Sequence, residues 1–112
     1  MKQLNIPADE KQIIYKFRNQ LKNALGQNLI SVQLFGSKAR GDWQKKSDID
    51  ILVLVKEKKP QLKDKIYEIA FNLLLERNIY LSVKVFDLKE FQKLNKIPTV
   101  FMQAIKNEAI EI

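Results

Sequence analysis

The stretch Phe35-Gly36-Ser37-Lys38-Ala39-Arg40-Gly41, followed after a short gap by Ser47-Asp48-Ile49-Asp50-Ile51-Leu52-Val53, decides how this chain is read. Residues 29–35 form a β-rich run that stops at Gly36, which predicts a strand, and residues 37–44 are turn-rich. Residues 47–55 begin with alternating polar and apolar side chains and end as a continuous apolar run. Such a strand has one end at an open site and the other buried on both faces. Gly36 ends the first strand where the backbone approaches a ligand with no Cβ in the way, and Ser37 offers a hydroxyl and an amide N–H at the start of a short helix. That pairing suits a triphosphate.

Asp48 and Asp50 stand two apart, so on one strand their side chains point to one face and Ile49 to the other. Two carboxylates held that close repel each other unless a cation sits between them. The chain has no histidine and no cysteine, so any catalysis rests on carboxylates and the cation suited to such oxygen donors is Mg²⁺ or Mn²⁺. A phosphate-binding turn beside a hard-metal pair is the equipment of phosphoryl or nucleotidyl transfer.

Working outward, Asp9 and Glu10 suit a helix start after Pro7, and Ile13, Ile14, Phe17, Leu21, Ala24 and Leu25 recur at helical spacing until Gly26. Downstream, residues 61–77 carry a second helical stripe of Leu62, Ile66, Ile69, Ala70, Leu73 and Leu74, closed by Asn78. Residues 79–86 predict a third strand, and Asp87 caps a short helix marked by Leu88, Phe91 and Leu94. A further helix over 99–107 turns Phe101, Met102 and Ile105 inward, and residues 109–112 add a short strand. The order specifies an α/β (α+β) class: a mixed β-sheet of three or four strands with helices packed on one side.

At 112 residues, with no repeat, linker or low-complexity segment, residues 1–112 read as one domain. Hydrophobic residues at 46% and charged ones at 29% exclude a disordered chain. No apolar run approaches a membrane span, and residues 1–7 lack the apolar stretch of a signal peptide, so the expected location is cytoplasmic with no membrane partner. The net charge of +7 points to polyanions, yet 17 lysines against 3 arginines equally reflect genome composition or growth temperature. A nucleic-acid-binding domain is the lowest-ranked alternative, since no helix-turn-helix or RNP motif accompanies the charge.

Gly36-Ser37-x-Ala39-Arg40-Gly41 followed by Ser47-Asp48-Ile49-Asp50 resembles the signature of the minimal nucleotidyltransferases, small members of the polymerase-β-like superfamily. The likeness extends to the leading helix, the 82–87 strand and the tail from Pro98. It implies the nucleotidyltransferase fold, Mg²⁺, and transfer of a nucleoside monophosphate, usually from ATP, to a hydroxyl. Many such proteins are antitoxins paired with a helical HEPN-type toxin, which they neutralise by binding or by adenylylating a tyrosine. By that resemblance Gly36, Ser37, Arg40 and Ser47 hold nucleotide phosphates, Arg40 alternatively bracing the turn, while the catalytic Asp48 and Asp50 ligate metal.

The sequence departs from the family at one point. Relatives that catalyse carry a third carboxylate on the later strand, and alignment on residues 82–87 puts Lys84 there. Its ammonium competes with a metal ion, and Asp87 has the opposite parity, turning inward only through a bulge. This implies weakened catalysis, or a pseudoenzyme that neutralises its partner by binding alone. Lys38, Lys45 and Lys46 read as a solvated charge run. Trp43 is open between stacking on a base, a partner interface and folding back over the core, and Tyr67, Phe71 and Tyr80 read as core or its rim.

Overall fold

The computed structural model describes residues 4–44 and 47–112. Lys45 and Lys46, and the first three of the residues read as lacking a signal peptide, lie outside them. Helix α1 (Ala8–Leu25) starts after Pro7 with Asp9 and Glu10 in its first turn, where the helix dipole favours acids. It buries Ile13, Ile14, Phe17 and Leu21, and it stops at Gly26, whose φ of 55° lets its N–H turn back to the Lys22 carbonyl. A 3₁₀ turn, Gly26–Asn28, leads into β1 (Leu29–Phe35), and a single helical turn, α2 (Ser37–Arg40), follows.

Strand β2 (Ile49–Val55) is joined to β3 (Leu81–Asp87) through α3 (Leu62–Arg77). The chain then runs through α4 (Leu88–Asn95) and α5 (Val100–Glu108) to β4 (Ile110–Glu111). Sheet order is β3-β2-β1-β4. β2 and β3 are parallel, as a helical crossover requires, and β1 is antiparallel to both β2 and β4. Asp87 caps α4 with a full capping box: its carboxylate accepts from Glu90 N at 2.8 Å, and its own N–H donates to Glu90 Oε1 at 3.2 Å.

Strands β2 and β3 both start two residues later than the sequence predicts. The Ser47 N–H donates to the Gln44 carbonyl and the Gln44 N–H to Ser47 Oγ, each at 2.8 Å, so Ser47 is bonded to Gln44 rather than to a neighbouring strand. Ile49 is therefore the first β2 residue to pair, and its partner Leu81 sets the start of β3, leaving Ile79 and Tyr80 outside it.

Register divides the sheet into two faces. Val32, Leu34, Ile49, Ile51, Val53, Val55, Leu81 and Val85 meet α1 and α3 in the main core. The opposite face carries Phe35, Asp50, Leu52, Ser82, Lys84 and Phe86. There Phe35 and Leu52 join Ile105 in a smaller cluster rimmed by Phe86, Phe91 and Phe101. The long helices thus lie on one side as expected, and the tail helix α5 covers part of the other. Leu52 and Leu54 are buried on that second side, which accounts for the unbroken apolar run of β2. Tyr67, Phe71 and Tyr80 sit at the rim, about half exposed.

Phe17 is wholly buried at the centre of the main core. Phe17→Ala should cost about 3–5 kcal/mol in urea unfolding, through lost transfer energy and the cavity left behind. A loss below about 1 kcal/mol would mean that α1 does not hold the sheet as described.

Candidate functional site

The site begins where β1 runs out. Phe35 pairs with Asp50 in the last rung between β1 and β2, and the next residue, Gly36, leaves the sheet with φ of 75°. A Cβ built on Gly36 would overlap the Asp50 carboxylate. Only glycine satisfies both the backbone angle and the space. The Gly36 carbonyl then accepts from the N–H groups of Ala39 and Arg40, each at 3.0 Å, and Gly41 closes the turn by donating to the Ser37 carbonyl at 2.9 Å. Ser37 is left at the head of this turn, one residue from the point where Asp50 meets the backbone.

Asp48 stands immediately before β2, exposed, and Asp50 is partly buried within it. Burial, then the charge of Asp48, raises the Asp50 carboxyl above its ordinary range, while Lys84 and Arg40 pull it back down. The two aspartates therefore share one field, although Asp48 lies one residue outside the strand. Ser82 is the direct partner of Asp50, and Lys84 pairs with Leu52 one step along the same face. Among the described residues no group of three His, Cys, Asp or Glu side chains gathers to hold a metal. The oxygen pair of Asp48 and Asp50 suits one hard divalent ion, with water or phosphate completing its shell, and beside it stands a cation, Lys84.

Arg40 braces the turn. Its Nε donates to Asp42 Oδ2 and its Nη1 to Glu108 Oε2, both at 3.1 Å, tying α2 to the end of α5. These bonds raise its pKa and commit the guanidinium to protein carboxylates, yet its charge still acts on Asp50. Ser47 closes the loop ahead of β2 and, with Asp48, lines a small cleft with Glu10, Asn78 and Tyr80. Asp87 is spent on capping α4, so no bulge turns it inward.

Lys38 corrects the expectation of a solvated charge. It is 1% exposed, because α1 lies over the turn and supplies Glu10, whose Oε1 is 2.8 Å from the ammonium. Trp43 folds back onto it with the ring centroid 4.3 Å from Nζ, and its own Nε1 donates to the Asn5 carbonyl at 3.0 Å. Residue spacing gives no sign of the Glu10–Lys38 or Arg40–Glu108 contacts, which depend on how distant helices meet.

An aspartate whose folded pKa is raised binds a proton more tightly folded than unfolded. Stability therefore falls as pH rises from the ordinary aspartate range through the raised value, and the penalty is fully present at neutral pH. Asp50→Asn should raise the neutral-pH melting temperature by a few degrees and flatten this part of the pH profile. A lower melting temperature would contradict the crowded-carboxylate picture.

Comparison with known proteins agrees with this arrangement. A family model described as "Nucleotidyltransferase domain" matches residues 14–110. MJ0141 of Methanocaldococcus jannaschii, provisionally named a protein adenylyltransferase, is 36% identical over 103 residues, covering 90% of this chain and 96% of its own. The fold is similar to the spectinomycin adenyltransferase AAD(9) of Enterococcus faecialis, solved with ATP and spectinomycin, at a TM-score of 0.66 and 20% identity over 91% of this chain and 55% of that one. It is also similar to a chain in the complex of tri-AMPylated HEPN toxin with MNT antitoxin from Shewanella oneidensis, at a TM-score of 0.52 and 22% identity over 91% of this chain and 70% of that one. With the family match spanning β1 to β3, the Gly36-Ser37 turn and both aspartates, this chain belongs to the nucleotidyltransferase domain family.

Proposed function

We propose that this protein transfers AMP from ATP to a hydroxyl of a partner protein, with Mg²⁺ or Mn²⁺ bound, and acts as the antitoxin of a HEPN-type toxin in the cytoplasm. The observation that carries the reading is the seating of Asp50 against Gly36, which puts a carboxylate beside a Cβ-free bend. In this reading the missing side chain at Gly36 makes room for the Asp50 carboxylate, while the Ser37 N–H and hydroxyl bind the phosphate chain. Asp48 and Asp50 hold the ion and orient the α-phosphate toward the acceptor. The ion, when bound, neutralises phosphate charge and assists departure of pyrophosphate. Arg40 keeps the turn in place through Asp42 and Glu108 while its charge faces the same region. The 36% identity to a provisionally named protein adenylyltransferase and the fold shared with an antitoxin complex support this choice of acceptor and partner.

The test uses α-labelled ATP, Mg²⁺ and the helical protein encoded beside this one. Label should remain on the partner, and Asp48→Ala with Asp50→Ala should reduce it to background. Label surviving the double variant rejects the site.

Lys84 favours a second reading, in which neutralisation proceeds by binding without transfer. Here the wild type labels nothing, and Asp48→Ala leaves neutralisation intact. Lys84→Asp supplies the third carboxylate and should tighten Mg²⁺ binding by about tenfold or more, measured calorimetrically. It should also create or increase transfer. A wild type already running at the rate of Lys84→Asp excludes the binding-only reading.

A further inference from the structure

Burying an ammonium generally costs more than an ordinary buried ion pair returns, so stability alone is a poor reason to keep one. Lys38 is such a group: its side chain is 0% exposed, against 42% for Arg40 in the same turn. Its Nζ and Glu10 Oε1 are 2.8 Å apart, and neither atom has an aligned hydrogen-bond partner among the described residues. The contact is held by charge, with the Trp43 ring closing it from another side and Asn5 holding the indole. What such a pair supplies is a fixed position.

The position it fixes is that of α2, which is one turn long and has little internal bonding of its own. Arg40 ties its far end to Asp42 and Glu108, but exposed pairs of this kind are weak and screened by salt. Lys38 follows Ser37 directly in sequence and is tied to the first turn of α1 through Glu10. We propose that Lys38 is a positioning residue: the clasp of Lys38, Glu10 and Trp43 pins the Gly36-Ser37 turn at the distance from Asp50 that a nucleotide requires. The proposal rests on the nucleotide reading above. Lys38 acts through the backbone of its neighbours, because its ammonium is committed to Glu10 and closed off from solvent.

The experiment compares MgATP affinity by calorimetry in the full chain with melting temperature. In Lys38→Met with Glu10→Leu, both charges are removed together, so neither is left buried alone and the fold should persist. Its melting temperature should stay within a few degrees of the wild type while MgATP affinity drops at least tenfold. Lys38→Arg with Glu10→Asp keeps the pair at similar total length and should recover most of the affinity. If the apolar pair does not fold, Trp43→Leu opens the clasp from its exposed side, and at least a threefold loss is expected.

A stable apolar pair, or a stable Trp43→Leu, that binds MgATP like the wild type overturns the clasp and leaves the nucleotide reading standing. Weakened binding that Lys38→Arg with Glu10→Asp does not recover also overturns it. A wild type that binds no MgATP removes the nucleotide reading and this inference with it.

Discussion

The arrangement depends on a missing methyl group. Asp50 occupies the volume that any side chain at Gly36 would need, and Gly36 adopts a backbone angle that other residues reach only with strain. The contact joins the end of β1 to the second residue of β2, bringing a bend and a carboxylate together through the last rung of a ladder rather than through a flexible loop. Adjacent strands are fixed to each other by hydrogen bonds, so a site built across a rung inherits the rigidity of the sheet.

The two faces of the sheet divide the work. One face meets α1 and α3 through almost entirely apolar side chains and supplies the bulk of the buried surface. On the other, Phe35 and Leu52 pack with Ile105 of α5, and polar Asp50, Ser82 and Lys84 stand beside them in the sheet. Period-two alternation makes this division possible within one strand: Ile49 and Ile51 anchor β2 in the main core, while Asp50 between them is turned out. The partial burial that raises the Asp50 pKa comes from its own face, where Phe35 pairs with it and the Gly36 backbone packs against its carboxylate.

The elements were legible because each is signalled locally. Pro7, Gly26, Asn78 and Asp87 mark helix ends by backbone chemistry, and the apolar stripes of α1 and α3 have one period each. The pairing of Gly36-Ser37 with Asp50 was legible for the same reason, as a short turn between neighbouring strands leaves few alternatives. Alternation runs through Asp48 and so predicts it within the strand, whereas the bonds of Ser47 to Gln44 hold Ser47 off the ladder. The fate of Lys38 was not legible. Its partner lies 28 positions upstream on a helix whose angle over the turn is set by the whole core, and no local pattern encodes that angle.

Charge around Asp50 brings these observations to bear on function. Asp48 and Asp50 contribute two negative charges, and Lys84 offsets one of them. Arg40 is matched by Asp42 and Glu108, so it subtracts little more. Such a site attracts a bare divalent ion less than a three-carboxylate site would. Lys84 is exposed, so its opposition is screened by water rather than delivered at the full strength of a buried charge. In the proposed reading the ion arrives with a triphosphate carrying several negative charges, and toward that pair the same lysine is attractive. In that reading Lys84 opposes the free metal while attracting the phosphates of the metal–nucleotide complex.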